Sequence, residues 1–203
     1  MGVVISGRRR PVRPDSIHVE RGRRTRRRIL DAARIRILRE GYDALRLDAL
    51  AADVGVTKAA VVKSVGGKAS ILLELGDEDR QDRLQVIRAA LTARTGMRRR
   101  LADTLRGMLE RDAARLNVVM AYIGYMWFWS GADHARAQAM LDDTRALLCD
   151  LIAAASSRRL PAERLENLAL RVMSGYAIGL RDVYYGRATL EETVRRVIDH
   201  TLD

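Results

Sequence analysis

Apolar residues recur along most of this chain every three or four positions, the spacing that lines one face of an α-helix. Ile29, Leu30, Ala33, Ile37 and Leu38 form the first stripe. Glu40-Gly41-Tyr42-Asp43 ends it, with Gly41 suited to the left-handed position beyond a helix end. Two short helical segments follow. From Ser70 onward the chain reads as helix throughout, with breaks near Gly96, Ser130-Gly131, Ser157 to Pro161, and Gly186. Pro161 suits the first turn of a helix, and Thr189 with Glu192 makes a capping box for the last one. No strand-like alternation and no internal repeat is evident. The pattern predicts an all-α protein of about nine helices, with an N-terminal three-helix module and a C-terminal helical bundle.

Two later stretches carry wider apolar surfaces. Leu165, Leu168, Ala169, Val172, Met173, Tyr176, Ala177, Leu180 and Tyr184 form a long stripe, and Leu190, Val194, Val197, Ile198 and Leu202 form another. Gly175 and Gly179, four apart, let another helix approach closely. Such a pair of helices predicts half of a four-helix dimer interface built on Leu165, Leu168, Val172, Tyr176, Leu180, Val194, Val197 and Ile198. The same stripes also suit a core within one chain. The stretch from Val118 to Trp129 is apolar on all sides, as in a central bundle helix, and holds both tryptophans and the only phenylalanine. Met120, Ile123, Met126 and Trp127 are candidates to line a cavity for a small apolar or aromatic effector, the alternative being plain core. Asp133-His134 just beyond suits either a polar contact to that effector or a helix cap with an exposed histidine.

Composition narrows the class. With 203 residues, 48% of them hydrophobic, the chain can bury a sizeable core. The single cysteine, Cys149, excludes an internal disulfide, and no Cys/His cluster suggests a metal or cofactor. The run from Val118 to Trp129 is too short to span a bilayer, and no signal-peptide segment follows the N-terminal arginines. A cytoplasmic protein without a membrane partner is expected. His18, His134 and His200 are scattered, with no nucleophile-base pattern around them, and Gly66-Gly67 joins two helices with no preceding strand. No enzyme is expected.

Charge changes the picture once it is located. Residues 1–68 hold 17 Lys+Arg against 7 Asp+Glu, a net of +10, out of +11 for the whole chain. Either a polyanion partner or a solubilising tail accounts for that asymmetry. Residues 1–22 carry two prolines, three glycines and a basic cluster without periodicity, and read as a flexible basic arm.

The sharpest motif runs from Leu47 to Val65. Leu50, Ala51 and Val54 precede Gly55, and Val56 and Val61 follow it. Two helices crossing steeply need a small residue at the crossing, here Ala51, and a turn tolerant of positive φ, here Gly55. Thr57 stands where an N-cap belongs, so the next helix starts at Lys58. This pattern predicts a helix-turn-helix whose second helix enters a major groove at its front, the alternative being a small helical corner with a solvated face. Ala59 and Ala60 are small enough to approach thymine methyls, while Lys58, Lys63 and Ser64 reach phosphates or base edges. The chain has only three lysines, Lys58, Lys63 and Lys68, all within this short region. Residues 23–69 are therefore assigned to DNA binding, and 70–203 to ligand binding and dimerisation.

The stretch RRRILDAARIRILREGYDALRLDALAADVGVTKAAVVKSVGGKASILLEL, residues 26–75, resembles the TetR family of bacterial transcriptional regulators. The resemblance implies a homodimer that represses from a double-stranded DNA operator and releases it when a small molecule binds the body. It also implies that Lys68 opens the fourth helix near the DNA backbone. Arg46, just before the second helix, is placed for phosphate, and Arg23, Arg24, Arg26 and Arg27 are placed either for the minor groove or for non-specific attraction. One departure stands out. The family's recognition helix ends with a tyrosine and a phenylalanine where this chain has Val62 and Val65. A helical ligand-binding or interaction dimer with a degenerate head is the alternative reading. A third reading, an arm-driven binder of nucleic acid or anionic membrane, rests on the basic segment alone.

Overall fold

The computed structural model describes residues 14–202, with side chains from residue 19 onward. Among the described residues there are nine α-helices and no strand: α1 (Pro14–Glu40), α2 (Leu47–Val54), α3 (Lys58–Val65), α4 (Lys68–Ala90), α5 (Met97–Ala113), α6 (Leu116–Tyr125), α7 (Gly131–Ala155), α8 (Ala162–Tyr184) and α9 (Leu190–Leu202). A 3-10 turn, Met126–Phe128, follows α6. The breaks anticipated near Gly96, Ser130-Gly131, Ser157–Pro161 and Gly186 all fall between helices. The break near Arg115, which separates α5 from α6, carried no proline or glycine to announce it.

The expected arm needs correction. Helix α1 starts at Pro14, so residues 14–22 are helical, while residues 1–13 lie outside the described residues. Proline is tolerated in a first turn, and once residues 23–40 are helical, extension backward through Glu20 and Arg21 adds one hydrogen bond per residue. Leu38 also departs from expectation. It is exposed, whereas Ile29, Leu30, Ala33 and Ile37 are buried.

Buried side chains form two clusters. One joins the first three helices to the start of α4 and to Val118, Tyr122, Met126, Ala137 and Met140 of the body. The other holds the far half of α4 (Leu84, Ile87) with α5, α7, α8 and α9. Helix α4, at 23 residues about 35 Å long, thus belongs to both cores and crosses the expected boundary at 69–70. Helix α6 lies across α4 at Gly76, where a Cβ would meet the Tyr122 ring at 2.1 Å. Only a glycine allows that approach.

Candidate nucleic-acid interface and cavity

The turn before α3 forms as its residues dictate. Gly55 is left-handed (φ 67°, ψ 42°), and its N–H and that of Val56 bond the carbonyls of Ala52 and Ala51 at 3.2 and 3.0 Å. Thr57 is extended, and its hydroxyl oxygen accepts from the Ala60 N–H at 3.1 Å, capping α3. Leu50, Ala51, Val54, Val61 and Val65 are buried, so α3 is fixed by its inner face. Lys58, Ala59, Val62 and Lys63 are exposed on the other side, with Ala60 and Ser64 half-buried. Val62 is 46% exposed and offers a methyl surface without a donor, whereas Val65 fills core space.

The basic residues of the head fall into two groups. Arg23, Arg24, Arg46 and Lys63 are exposed, with no hydrogen bond or ion pair among the described residues. Lys58 Nζ lies 3.2 Å from the Asp48 carboxylate, an exposed pair of small worth that a phosphate can replace. Of the other candidate contacts, Lys68, Arg26 and Arg27 are engaged with groups of the protein itself, Arg27 while still 63% exposed. Lys68 Nζ donates to the Asp43 carbonyl at 2.9 Å and stands 4.5 Å from the centre of the Tyr42 ring. Arg26 donates to the Ser64 carbonyl and to the Glu74 carboxylate. Arg27 pairs with Glu78 and Asp31 at 3.0 and 3.1 Å. Because α1 runs on as a helix, Arg26 and Arg27 lie over the acidic residues of α4 and not in a loose arm.

A cavity of about 390 Å³ lies between α4, α6, α7 and α8. Ile123, Met126 and Trp127 line it as expected, but Met120 does not; it packs against the second core. The all-round apolar helix of the sequence reading ends at Tyr125, and Trp127 and Phe128 beyond it are 72% and 81% exposed. Asp133 and His134 begin α7 away from the cavity lining.

Sequence reasoning missed the polar side of this cavity: Arg80, Arg83, Tyr122 and Tyr176. Arg83 Nη1 donates to both oxygens of Asp112 at 3.0 and 2.9 Å, and the Tyr176 hydroxyl donates to Asp112 Oδ2 at 2.7 Å. Burial pushes the Asp112 carboxyl and the Tyr176 hydroxyl above their ordinary values. Burial opposes the Arg83 charge as well, but Asp112 more than offsets it and raises the guanidinium. The only signal in the sequence was two arginines three apart on α4, set among acids that read as a solvated face.

A second polar network ties head to body. Arg34 of α1 and Arg115 at the start of α6 both donate to Asp79 Oδ1 at 2.7 Å. Tyr125 of α6 donates to the Asp43 carboxylate and packs edge-on against Tyr42 at 4.7 Å. Burial, with Tyr125 and Asp43 adding to it, pushes the Tyr42 hydroxyl up to about 12. Asn117 Nδ2 donates to the Leu38 carbonyl at 2.8 Å.

The expected interface residues need correction. Leu168, Val172, Tyr176, Leu180, Val194, Val197 and Ile198 are buried within the chain, and Leu165 is half-buried against the same core. The helix that approaches Gly175 and Gly179 is the chain's own α9, through Val197 and Thr193. The outward face of α8 carries Leu170, Ser174 and Ile178, with Tyr185 just beyond its end.

A short capped helix is held outward on α1 and α2, on an all-helical body with a cavity among the described residues. The N-terminal segment is a helix-turn-helix of the TetR type, and the chain has a TetR-like fold. Residues 29–75 match the model described as bacterial regulatory proteins, tetR family. Solved structures agree on the fold. The regulator FadR from Bacillus subtilis, in complex with stearoyl-CoA, superposes with a TM-score of 0.69 at 14% identity, over 86% of this chain and 97% of that one. A tetR-family regulatory protein from Rhodococcus RHA1 gives 0.67 at 19% identity, over 88% and 95%. The regulator PfmR from Thermus thermophilus gives 0.61 at 20% identity, over 86% and 97%. No curated protein matches the chain by sequence.

Proposed function

We propose that this regulator is a homodimeric repressor that leaves a double-stranded DNA operator when a small apolar or aromatic effector enters the cavity. One observation carries the reading: α4 begins just after α3 and, midway along its length, lines the cavity with Arg80 and Arg83. An effector with different affinity for two positions of α4 and α6 shifts the spacing of two heads in a dimer. The stearoyl-CoA complex of the B. subtilis protein supports an effector site in this fold. The second subunit docks on the outer face of α8 at Ile178 and Tyr185, which α9 leaves uncovered, beside Leu170 and Ser174 at the cavity. Arg46, Lys58 and Lys63 hold phosphates, while Ala59, Ala60 and Ser64 meet base edges. The protein is a cytoplasmic binding protein and no enzyme, with no metal or cofactor assigned.

The test is a footprint on the DNA upstream of the protein's own gene. Wild type is expected to protect a two-fold site, and Lys58→Ala/Lys63→Ala to lose protection, with the salt dependence of any remaining binding shallower by about 4, two lysines from each subunit. Protection that survives the double substitution unchanged refutes the assignment of α3. The exposed Val62, standing where the family has a tyrosine, favours a second reading in which the head no longer reads sequence. That reading expects salt-dependent binding with no preferred site.

A further inference from the structure

The cavity wall is mostly apolar, with Met108, Val119, Met126, Leu148, Val172 and Met173 among its residues. The charged side chains that reach it are Arg80, Arg83 and Arg145 against the single carboxylate of Asp142. Arg145 is already paired with Asp142 and Glu166, both at 3.1 Å. The other two guanidiniums are incompletely matched. Arg80, only 7% exposed, donates Nε and Nη2 to Asp77 Oδ1 at 3.1 and 2.9 Å. Its Nη1 is buried and makes no hydrogen bond; Asp143 stands 3.6 Å away on an exposed side chain. Asp77 is itself shared with Arg136 at 3.2 Å. Arg83 gives Nη1 to Asp112, and its Nε and Nη2 make no hydrogen bond among the described residues.

A buried guanidinium donor without an acceptor, as at Arg80 Nη1, is costly, and the half-buried Arg83 with its two unpaired donors stands one helical turn away on the same face of α4. We propose that the effector carries an oxyanion, a carboxylate or a phosphate, on its apolar body, and that Arg80 and Arg83 hold it. The planar N–H fork of arginine matches both groups, whereas a cationic ligand is repelled and an uncharged one leaves the donors unmet. The inference rests on the cavity being the effector site. It adds what enters and which residues select it.

The experiment is calorimetric titration of the intact protein with decanoate, decyl phosphate and 1-decanol, three probes with the same apolar tail. Wild type is expected to bind at least one anion about tenfold to a hundredfold more tightly than decanol, the worth of a charged hydrogen bond. The two anionic arms tell a carboxylate from a phosphate. Arg80→Met is expected to remove most of that preference, read as the ratio of anion to decanol affinity in the variant itself. Arg83→Met is made together with Asp112→Asn, so that no carboxylate is left buried and unpaired, and is expected to do the same. Circular dichroism melts of both variants confirm their folding. If decanol binds as tightly as both anions, or both variants keep the preference, the oxyanion proposal is overturned while the cavity remains an effector site. If wild type binds none of the three, the effector site itself is refuted.

Discussion

Gly76→Ala places one methyl group where the structure has least room for it. A Cβ at that position meets three Tyr122 ring atoms at 2.1, 2.6 and 2.7 Å. Ordinary carbon contacts lie near ~3.5–4.0 Å, so the ring and α4 must separate by more than about 1 Å. Tyr122 has little freedom to swing, because it is buried and packs edge-on against Trp129 at 5.6 Å between ring centres. Overpacking of this kind costs about 1–3 kcal/mol, and alanine returns about 1 kcal/mol of helix propensity. The expected net loss is up to about 2 kcal/mol, a fall of as much as a few degrees in Tm for a chain of this size. Urea denaturation followed by far-ultraviolet circular dichroism measures it. In a Tyr122→Ala background the clash is gone, and the same substitution is expected to stabilise by about 1 kcal/mol. The difference between the two backgrounds isolates the α4–α6 contact. Equal effects in both, or stabilisation of the otherwise wild-type protein, refutes the claim that Gly76 sets that spacing. Since α4 leads to α3, the substitution is also expected to weaken operator binding by more than its effect on stability explains.

Three further outcomes follow from named contacts. Thr57→Ala removes the cap of α3 at a cost of about 1 kcal/mol; amide exchange at Ala60 and Val61 is expected to quicken and DNA affinity to fall, and unchanged exchange contradicts the assignment. Arg83→Met alone leaves Asp112 buried with Tyr176 as its remaining partner and is expected to cost about 3–5 kcal/mol in urea unfolding, much of it restored by adding Asp112→Asn. The Thr189 N–H and hydroxyl hold the Glu192 carboxylate below its ordinary range. A lowered folded value means that this contribution is present above the unfolded pKa and disappears as pH falls through the folded one. Glu192→Gln is therefore expected to lower Tm at neutral pH and to match wild type in strong acid; a constant difference across the range excludes the carboxylate as the cause.

The DNA-reading module was legible because its signals are local. Gly55 at the turn, Thr57 at the cap and the buried spacing of Leu50, Val54 and Val61 each act within a few residues, and the structure has all of them in place. The cavity was only half legible. Ile123, Met126 and Trp127 stood out by composition, whereas Arg80 and Arg83 sit in a run dense with acids that resembles a solvated surface. No local feature reveals that such a run turns one edge toward a cavity.

Periodicity and end signals in the chain determined by themselves that it is all helical, where most helices stop, and which short helix is presented outward. Those outcomes depend on backbone hydrogen bonds and side chains a turn or two apart. What each apolar face packs against was decided only by the tertiary structure. The stripe from Leu168 to Leu180 reads the same whether it meets a second subunit or the chain's own α9, and here Val197 and Thr193 cover Gly175 and Gly179. Likewise Arg26, Arg27 and Lys68 became internal ties once α1 and α4 were brought together. The physical reason is that amphipathicity records the need to bury a face or pair a charge, while the identity of the partner is fixed by contacts between residues far apart in the chain.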